Sequence, residues 1–208
     1  MRGETVILAA GDFPRPGGEA RRLLDAAVRV VCCDGAATTY RRETGREPAA
    51  VVGDLDSYQG APDAPGVVRI AEQETNDLAK AVRWCAAQGW RDPVIVGATG
   101  LREDHTIGNV FRALDLGLEI VTDYGRFVPV AERLELTAEP GAPVSIFAPD
   151  PSTRMTSEGL DWPLDGVRFT NLYCATLNRT TTGRIVLTTT RPALVFIGSL
   201  RPSARTCR

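Results

Sequence analysis

The sequence predicts an α/β N-terminal domain with a mostly parallel sheet, followed by an all-β C-terminal sandwich domain. Two observations carry that prediction. Over the first 125 residues short β-branched runs alternate with amphipathic stretches, the rhythm of βαβ units in which a helix covers the strands it joins. From Arg126 onward the helical period fades, and short alternating or β-branched runs broken by Pro and Gly replace it, as antiparallel strands and turns require. The change falls near residues 124 to 132, which gives domains of 1–128 and 129–208.

Element by element, Thr5 to Ala9 reads as the first strand and Glu19 to Ala27 as the first helix. Val28 to Cys33 is a strand and Ala37 to Thr44 a helix; Ala49 to Val52 and Val67 to Ile70 are further strands. A helix near Thr75 to Gln88, a strand Val94 to Gly97, a helix near Asp104 to Leu116 and a strand Leu118 to Asp123 complete the first domain. In the second, "APVSIFAP", "RIVLTTT" and "ALVFIGSL" are the clearest strands. The threonine triplets 180–182 and 188–190 follow from the strand preference of β-branched side chains, and there is no internal repeat or low-complexity tract.

Composition narrows the function classes. A chain of 208 residues, 43% hydrophobic and 24% charged, can bury one generous core or two smaller ones. No run approaches the roughly 18 apolar residues of a membrane span. The segment "MRGETVILAAGD" reads as a strand broken by Gly-Asp rather than a signal peptide, so a cytoplasmic protein with no membrane partner is expected. With 24 Lys+Arg against 26 Asp+Glu, a net charge of −2 and no basic run, nucleic acid is not an expected partner. A phosphate-bearing ligand would need a metal or a few placed arginines. The five cysteines, Cys32, Cys33, Cys85, Cys174 and Cys207, form neither a disulfide framework nor a zinc spacing and read mostly as small buried hydrophobes.

The acids carry the chemistry. Asp34 follows "VRVVCC", Asp54 and Asp56 follow "AAVV", and Asp104 lies beyond "VIVGATGLRE", so three strands lead into carboxylates at the sheet edge where α/β proteins bind ligands. Asp77 adds a fifth acid near the start of a helix. Any one of them could simply open a turn or cap a helix. Together they are costly unless a cation sits between them, and a hard divalent ion such as magnesium takes carboxylate, water and phosphate oxygens. Asp54 and Asp56 therefore read as a metal clamp. In "VGATGLREDH" Gly97 and Gly100 permit close backbone approach, and Arg102 brings charge beside Asp104. That segment lacks the Lys-Ser/Thr of a Walker loop and the spacing of a dinucleotide fingerprint. His105, the single histidine, reads as a hydrogen-bonded structural residue and stays outside the catalytic set.

The order of these segments resembles the thiamine pyrophosphokinase family along most of the chain. "CDGAA" is similar to the family's A-D-G-G-A, "GDLDS" to G-D-F-D-S, and "QETND" with Lys80 to Q-x-x-T-D-x-x-K. "GATGLREDH" with Asn109 is similar to G-x-x-G-G-R-x-D-H-x-x-x-N, "GLDWPL" to G-L-K-W-x-L, and "TLN" at 176–178 to T-S-N. The resemblance implies magnesium-dependent transfer of a pyrophosphoryl group from ATP to the hydroxyl of thiamine, giving AMP and thiamine diphosphate. It implies Asp54, Asp56 and Asp77 as holders of Mg2+ and, through it, of the β- and γ-phosphates. Gln73, Lys80, Gly100, Arg102 and Asp104 would serve the nucleotide and its phosphates, and Asp34 or one of the metal-side acids would position or deprotonate the attacking hydroxyl. Trp162, Leu177 and Asn178 fall where the acceptor would bind, in a homodimer whose subunits share the acceptor site.

Departures from the family pattern leave alternatives open. Leu101 and Ala36 replace glycines, so the backbone there should avoid positive φ or the phosphates should sit differently. Asn76 replaces a threonine but keeps a side chain able to cap a helix. Asp161 and Leu177 replace a lysine and a serine in the acceptor region. A related pyrophosphokinase acting on another hydroxymethyl compound, or a non-catalytic binder of nucleotide or thiamine diphosphate, would also carry these motifs.

Overall fold

A computed structural model describes residues 2–200. Cys207 and the last residues of the expected second domain lie outside the described residues. The chain divides into two compact units between Asp123 and Tyr124. That is a few residues before the boundary drawn from the sequence, because a strand already begins at Gly125 and Pro129 inside it breaks the apolar run that would have announced it.

The first unit contains β1 (Thr5–Leu8), α1 (Glu19–Ala26), β2 (Arg29–Cys33), α2 (Ala36–Thr44), β3 (Ala50–Gly53), β4 (Val67–Arg69), α3 (Asp77–Ala87), β5 (Val94–Val96), α4 (Glu103–Leu116) and β6 (Ile120–Thr122). Its strands pair in the order β6-β5-β1-β2-β3-β4, every pair parallel. Val6, Leu8, Val30, Cys32, Val51 and Val96 pack on one face against Ala20 and Leu24 of α1 and Ala37 and Tyr40 of α2. The alternate residues Ile7, Val31, Cys33, Val52 and Ile95 are buried too, and α3 packs across β1, β2 and β3. Covering both faces explains why these strands read as continuous apolar runs rather than alternating ones. Successive strands step away from β1 to one side, then β5 and β6 return on the other. The loops after β1 and β5 thus part at a topological switch point, where open parallel sheets form ligand crevices.

The second unit is built from β7 (Gly125–Val130), β8 (Arg133–Thr137), β9 (Pro143–Phe147), β10 (Met155–Glu158), β11 (Ala175–Arg179), β12 (Arg184–Thr189) and β13 (Ala193–Gly198). The orders β11-β9-β13-β7 and β10-β12-β8, paired antiparallel, form two layers. Val130, Val144, Ile146, Val195 and Ile197 of the first layer meet Met155, Ile185 and Leu187 of the second around Phe169, Leu160 and Leu164. A sandwich, as expected, is the result.

Cys32, Cys33 and Cys85 are buried, and burial pushes the Cys32 thiol up to about 12 and that of Cys85 to about 11. Cys174 departs from the expectation and is exposed, because it precedes β11 on the lip of a cleft. No helix among the described residues is long and apolar enough to cross a membrane.

Leu24 is 0% exposed and joins α1 to the sheet. Leu24→Ala should cost about 2–5 kcal/mol, read as a lower urea midpoint with an unchanged slope.

Candidate functional site

Asp34 leaves β2 in a left-handed conformation, φ 42°, and starts the turn into α2. Its backbone N–H donates to Val52 O at 3.1 Å, which ties the turn to the neighbouring strand. The side chain is 2% exposed. Oδ2 accepts a hydrogen bond from Ser57 N at 3.4 Å, and Oδ1 is buried without a partner.

Gly53 ends β3 beside it. A Cβ at that position would lie 2.8 Å from the Asp34 Cβ and 3.3 Å from the Cγ atoms of both Asp34 and Asp77. Only glycine therefore lets carboxylates from β2 and α3 close over the end of β3. Directly after it, Asp54 Oδ1 accepts from Asp56 N at 3.2 Å, the short-range turn that Asp favours. Asp54 Oδ2 accepts from Gln73 Nε2 at 2.9 Å. Asp34, Asp54 and Asp56 each offer an oxygen within 4.8 Å of the others. Asp77, on the first turn of α3, accepts from Lys80 Nζ at 3.0 Å; Lys80, 1% exposed, also stands 3.8 Å from Asp54 Oδ2.

The electrostatics follow from these contacts. Burial holds the Asp34 carboxyl above the usual carboxylate range; hydrogen bonds from Ser57 oppose this, and the charges of Asp77 and Asp56 add to it. Asp54 is held below that range, first by the Gln73 amide, then by the Asp56 N–H and the Lys80 charge. Burial works against the Lys80 ammonium, but the hydrogen bond to Asp77 and the charges of Asp77 and Asp54 outweigh it and raise its pKa.

The expectation of five converging acids needs correction. Asp104 does not join Asp34, Asp54 and Asp56: Arg102, two residues ahead, takes it in a bidentate pair at 2.6 and 3.1 Å. Both side chains are 65% exposed, and the guanidinium lowers the Asp104 pKa to about 2. His105 is exposed on the same turn of α4. Leu101 also departs from expectation, since it adopts φ 58° after Gly100 at φ 81°. Its side chain is 74% exposed and meets no obstacle, so the loop keeps a glycine-like backbone at a cost of about 1–2 kcal/mol.

The close approach that Gly100 permits is taken by Asp12, whose carboxylate occupies the place a Cβ would need there. Asp12 escaped the sequence reading. It follows β1 at the switch point, where its N–H donates to Thr99 O at 2.8 Å, and the Gly11-Asp12 pair gains meaning only once the strand order is known. Asn76 caps α3 as its side chain allows, accepting from Ala79 N at 3.1 Å, and its amide donates to Asn109 Oδ1 at 3.0 Å. Asn109 in turn donates to Ala98 O at 3.1 Å, which binds the start of α3 to the loop after β5.

In the second unit a cleft of about 410 Å³ is lined by Trp162, Leu164, Val167, Cys174 and Leu177. Trp162 is 58% exposed, and Leu177 is 85% exposed at φ 65°. Asn178 is buried: its amide donates to Trp162 O at 2.7 Å, and its oxygen accepts from Trp162 N at 3.1 Å and Arg179 N at 2.8 Å. It therefore fixes the backbone of Trp162 while itself lining the cleft.

The fold and site together define a class: a doubly wound α/β unit with a carboxylate-lined ligand edge, on one chain with an antiparallel sandwich that carries an apolar cleft. Residues 20–121 match the family described as "Thiamin pyrophosphokinase, catalytic domain", and residues 125–196 match "Thiamin pyrophosphokinase, substrate-binding domain". The chain belongs to the thiamin pyrophosphokinase family and is an enzyme of the transferase class.

Solved structures agree in fold. A thiamin pyrophosphokinase from Geobacillus thermodenitrificans is 24% identical over 96% of this chain and 98% of its own, with a TM-score of 0.72. A thiamin pyrophosphokinase family protein from Enterococcus faecalis is 16% identical over 97% and 100%, with a TM-score of 0.75. Yeast thiamin pyrophosphokinase is 13% identical over 94% and 86%, with a TM-score of 0.73. No curated protein gives a significant sequence match.

Because the Asp34 pKa is raised by folding, the native state holds a proton that the unfolded chain releases, and stability falls as pH rises above the ordinary carboxylate range. In chelator, Asp34→Asn should melt higher than the wild type at pH 7, with the gap closing below about pH 4, as thermal scans across pH would show.

Proposed function

We propose that the protein transfers the pyrophosphoryl group of ATP to the hydroxyl of thiamine, in a magnesium-dependent reaction that yields AMP and thiamine diphosphate. One observation supports this most: the buried, unpartnered Oδ1 of Asp34 beside two further carboxylates. A buried anion in that state calls for a cation, and the donor set is all oxygen, which suits a hard divalent ion. Asp34, Asp54 and Asp56 would hold it, with Asp77 adding charge next to them. When bound, such an ion supplies charge neutralisation to the phosphate oxygens.

The chain's own residues do the remainder. Gln73 and the Asp56 N–H orient the Asp54 carboxylate, and Lys80 offsets the charge of Asp77. Arg102, exposed beside Asp104, would meet the nucleotide. The acceptor oxygen attacks the β-phosphorus, the bond from that phosphorus to the oxygen of the α-phosphate breaks, and AMP departs with that oxygen. The hydroxyl proton passes to a carboxylate. Asp34, or one of Asp54 and Asp56, would take it by a hydrogen bond that forms late in the transfer. Alignment and charge neutralisation carry most of such a reaction.

For the acceptor we infer the sandwich cleft. Trp162 offers an aromatic face to a thiazolium cation, with Leu177 beside it and Asn178 holding the tryptophan in place. The exposed Trp162, Tyr173 and Leu177 suit a homodimer in which the acceptor site is shared. Free buried thiols agree with a reducing, cytoplasmic compartment. Leu177 and Asp161 favour one rival, a pyrophosphokinase with another hydroxymethyl acceptor.

Incubation with ATP, magnesium and thiamine should release AMP, resolved from ADP by ion-exchange chromatography. ADP would reject pyrophosphoryl transfer, and AMP only with another hydroxymethyl compound would support the rival. Asp54→Asn should lower turnover by about 100-fold or more while moving the thermal midpoint by only a few degrees, because a carboxylate gathered for a cation is seldom needed for folding.

A further inference from the structure

The loop between β4 and α3 is folded around one carboxylate. Glu72 Oε2 accepts the backbone N–H groups of Glu74 at 2.8 Å and Thr75 at 3.0 Å. Glu72 Oε1 accepts the Thr75 hydroxyl and the guanidinium of Arg83, in the second turn of α3, and Arg83 Nη2 also donates to Thr75 Oγ1 at 3.0 Å. The side chains of Glu72 and Arg83 are 33% and 51% exposed. An ion pair in that setting is worth little to global stability, typically about 0–1 kcal/mol.

Its local effect is larger. Gln73 is enclosed between the acceptor Glu72 and the donors Glu74 and Thr75, so the knot fixes the backbone from which its side chain extends. That side chain is otherwise exposed, and an exposed glutamine loses conformational freedom when it holds one partner. Gln73 Nε2 nonetheless donates to Asp54 Oδ2, while the Asp56 N–H holds the other oxygen, and the two bonds together set the plane of the Asp54 carboxylate. Groups that orient a ligating carboxylate commonly change metal affinity about 10–100-fold.

We propose that Glu72 and Arg83 are positioning residues for the cation site, acting through Gln73 to aim Asp54. The proposal rests on the reading of Asp34, Asp54 and Asp56 as cation holders. Glu72 touches neither those carboxylates nor any reacting group.

Mn2+ is the probe, with free ion counted by its electron paramagnetic resonance signal on the intact protein and no nucleotide present. Glu72→Ala and Gln73→Ala should each weaken Mn2+ binding about tenfold, and the double variant should be no weaker than Gln73→Ala alone. Glu72→Gln, which keeps an acceptor for the loop N–H groups, should recover part of the loss. Should Glu72→Ala fold poorly, Arg83→Gln, on an exposed position of α3, is expected to show the same weakening with a thermal midpoint close to the wild type. Wild-type affinity in Glu72→Ala or Arg83→Gln, or losses that add to that of Gln73→Ala, would overturn the proposal and leave the cation reading intact. Failure of the wild type to bind Mn2+ would remove both.

Discussion

Repulsion between carboxylates at the ends of β2 and β3 is the constraint around which the first unit is arranged. Oxygens of Asp34, Asp54 and Asp56 lie within 4.8 Å of one another, a separation at which like charges near a protein surface repel by on the order of a few kcal/mol per pair. The fold contains several features that bring this crowding about: a glycine at the end of β3, a left-handed aspartate at the end of β2, and two hydrogen bonds that keep Asp54 turned inward. None of these improves the core. They make sense as preparation for a positive charge.

Much of the architecture was legible because both faces of the parallel sheet are covered. Burial on two sides demands unbroken apolar strands such as "TVIL" and "VIV", and these mark themselves in any sequence. The sandwich was harder to divide. β8 alternates half-buried and exposed positions, and β10 is the polar tetrapeptide "MTSE"; each is specified by its partner β12 and not by its own composition.

The site followed the same logic. Asp34, Asp54 and Asp56 were legible because each follows a strand that ends at one edge. Asp104 misled because sequence order shows that Arg102 is near it but not that the two would pair. Asp12, the burial of Lys80 and the bond from Gln73 to Asp54 could not be read at all, since each depends on strand order or on the path of an irregular loop.

Two departures from the family pattern share a strained backbone. Leu101 and Leu177 both hold positive φ, at 58° and 65°, where a branched side chain costs about 1–2 kcal/mol. At Leu101 the left-handed path of a glycine is preserved, so the substitution changes what the loop shows to solvent and leaves its course unaltered. Leu177 likewise presents an apolar side chain, 85% exposed, on the lip of the sandwich cleft. Such replacements alter the chemistry of an exposed surface on a retained scaffold.

Lys80 shows where the balance of charge remains open. A single buried ammonium stands among the acids, and it pairs with Asp77 at 3.0 Å and Asp54 at 3.8 Å. Those partners raise its pKa despite burial, so it stays charged and cannot act as the proton acceptor at neutral pH. Asp56 is exposed, and water can screen it. Asp34 has neither recourse: it is buried, its hydrogen bonds come from Ser57, and its Oδ1 has no partner. The uncompensated charge therefore sits at the end of β2, and a cation bound there would add to the neutralisation that Lys80 begins.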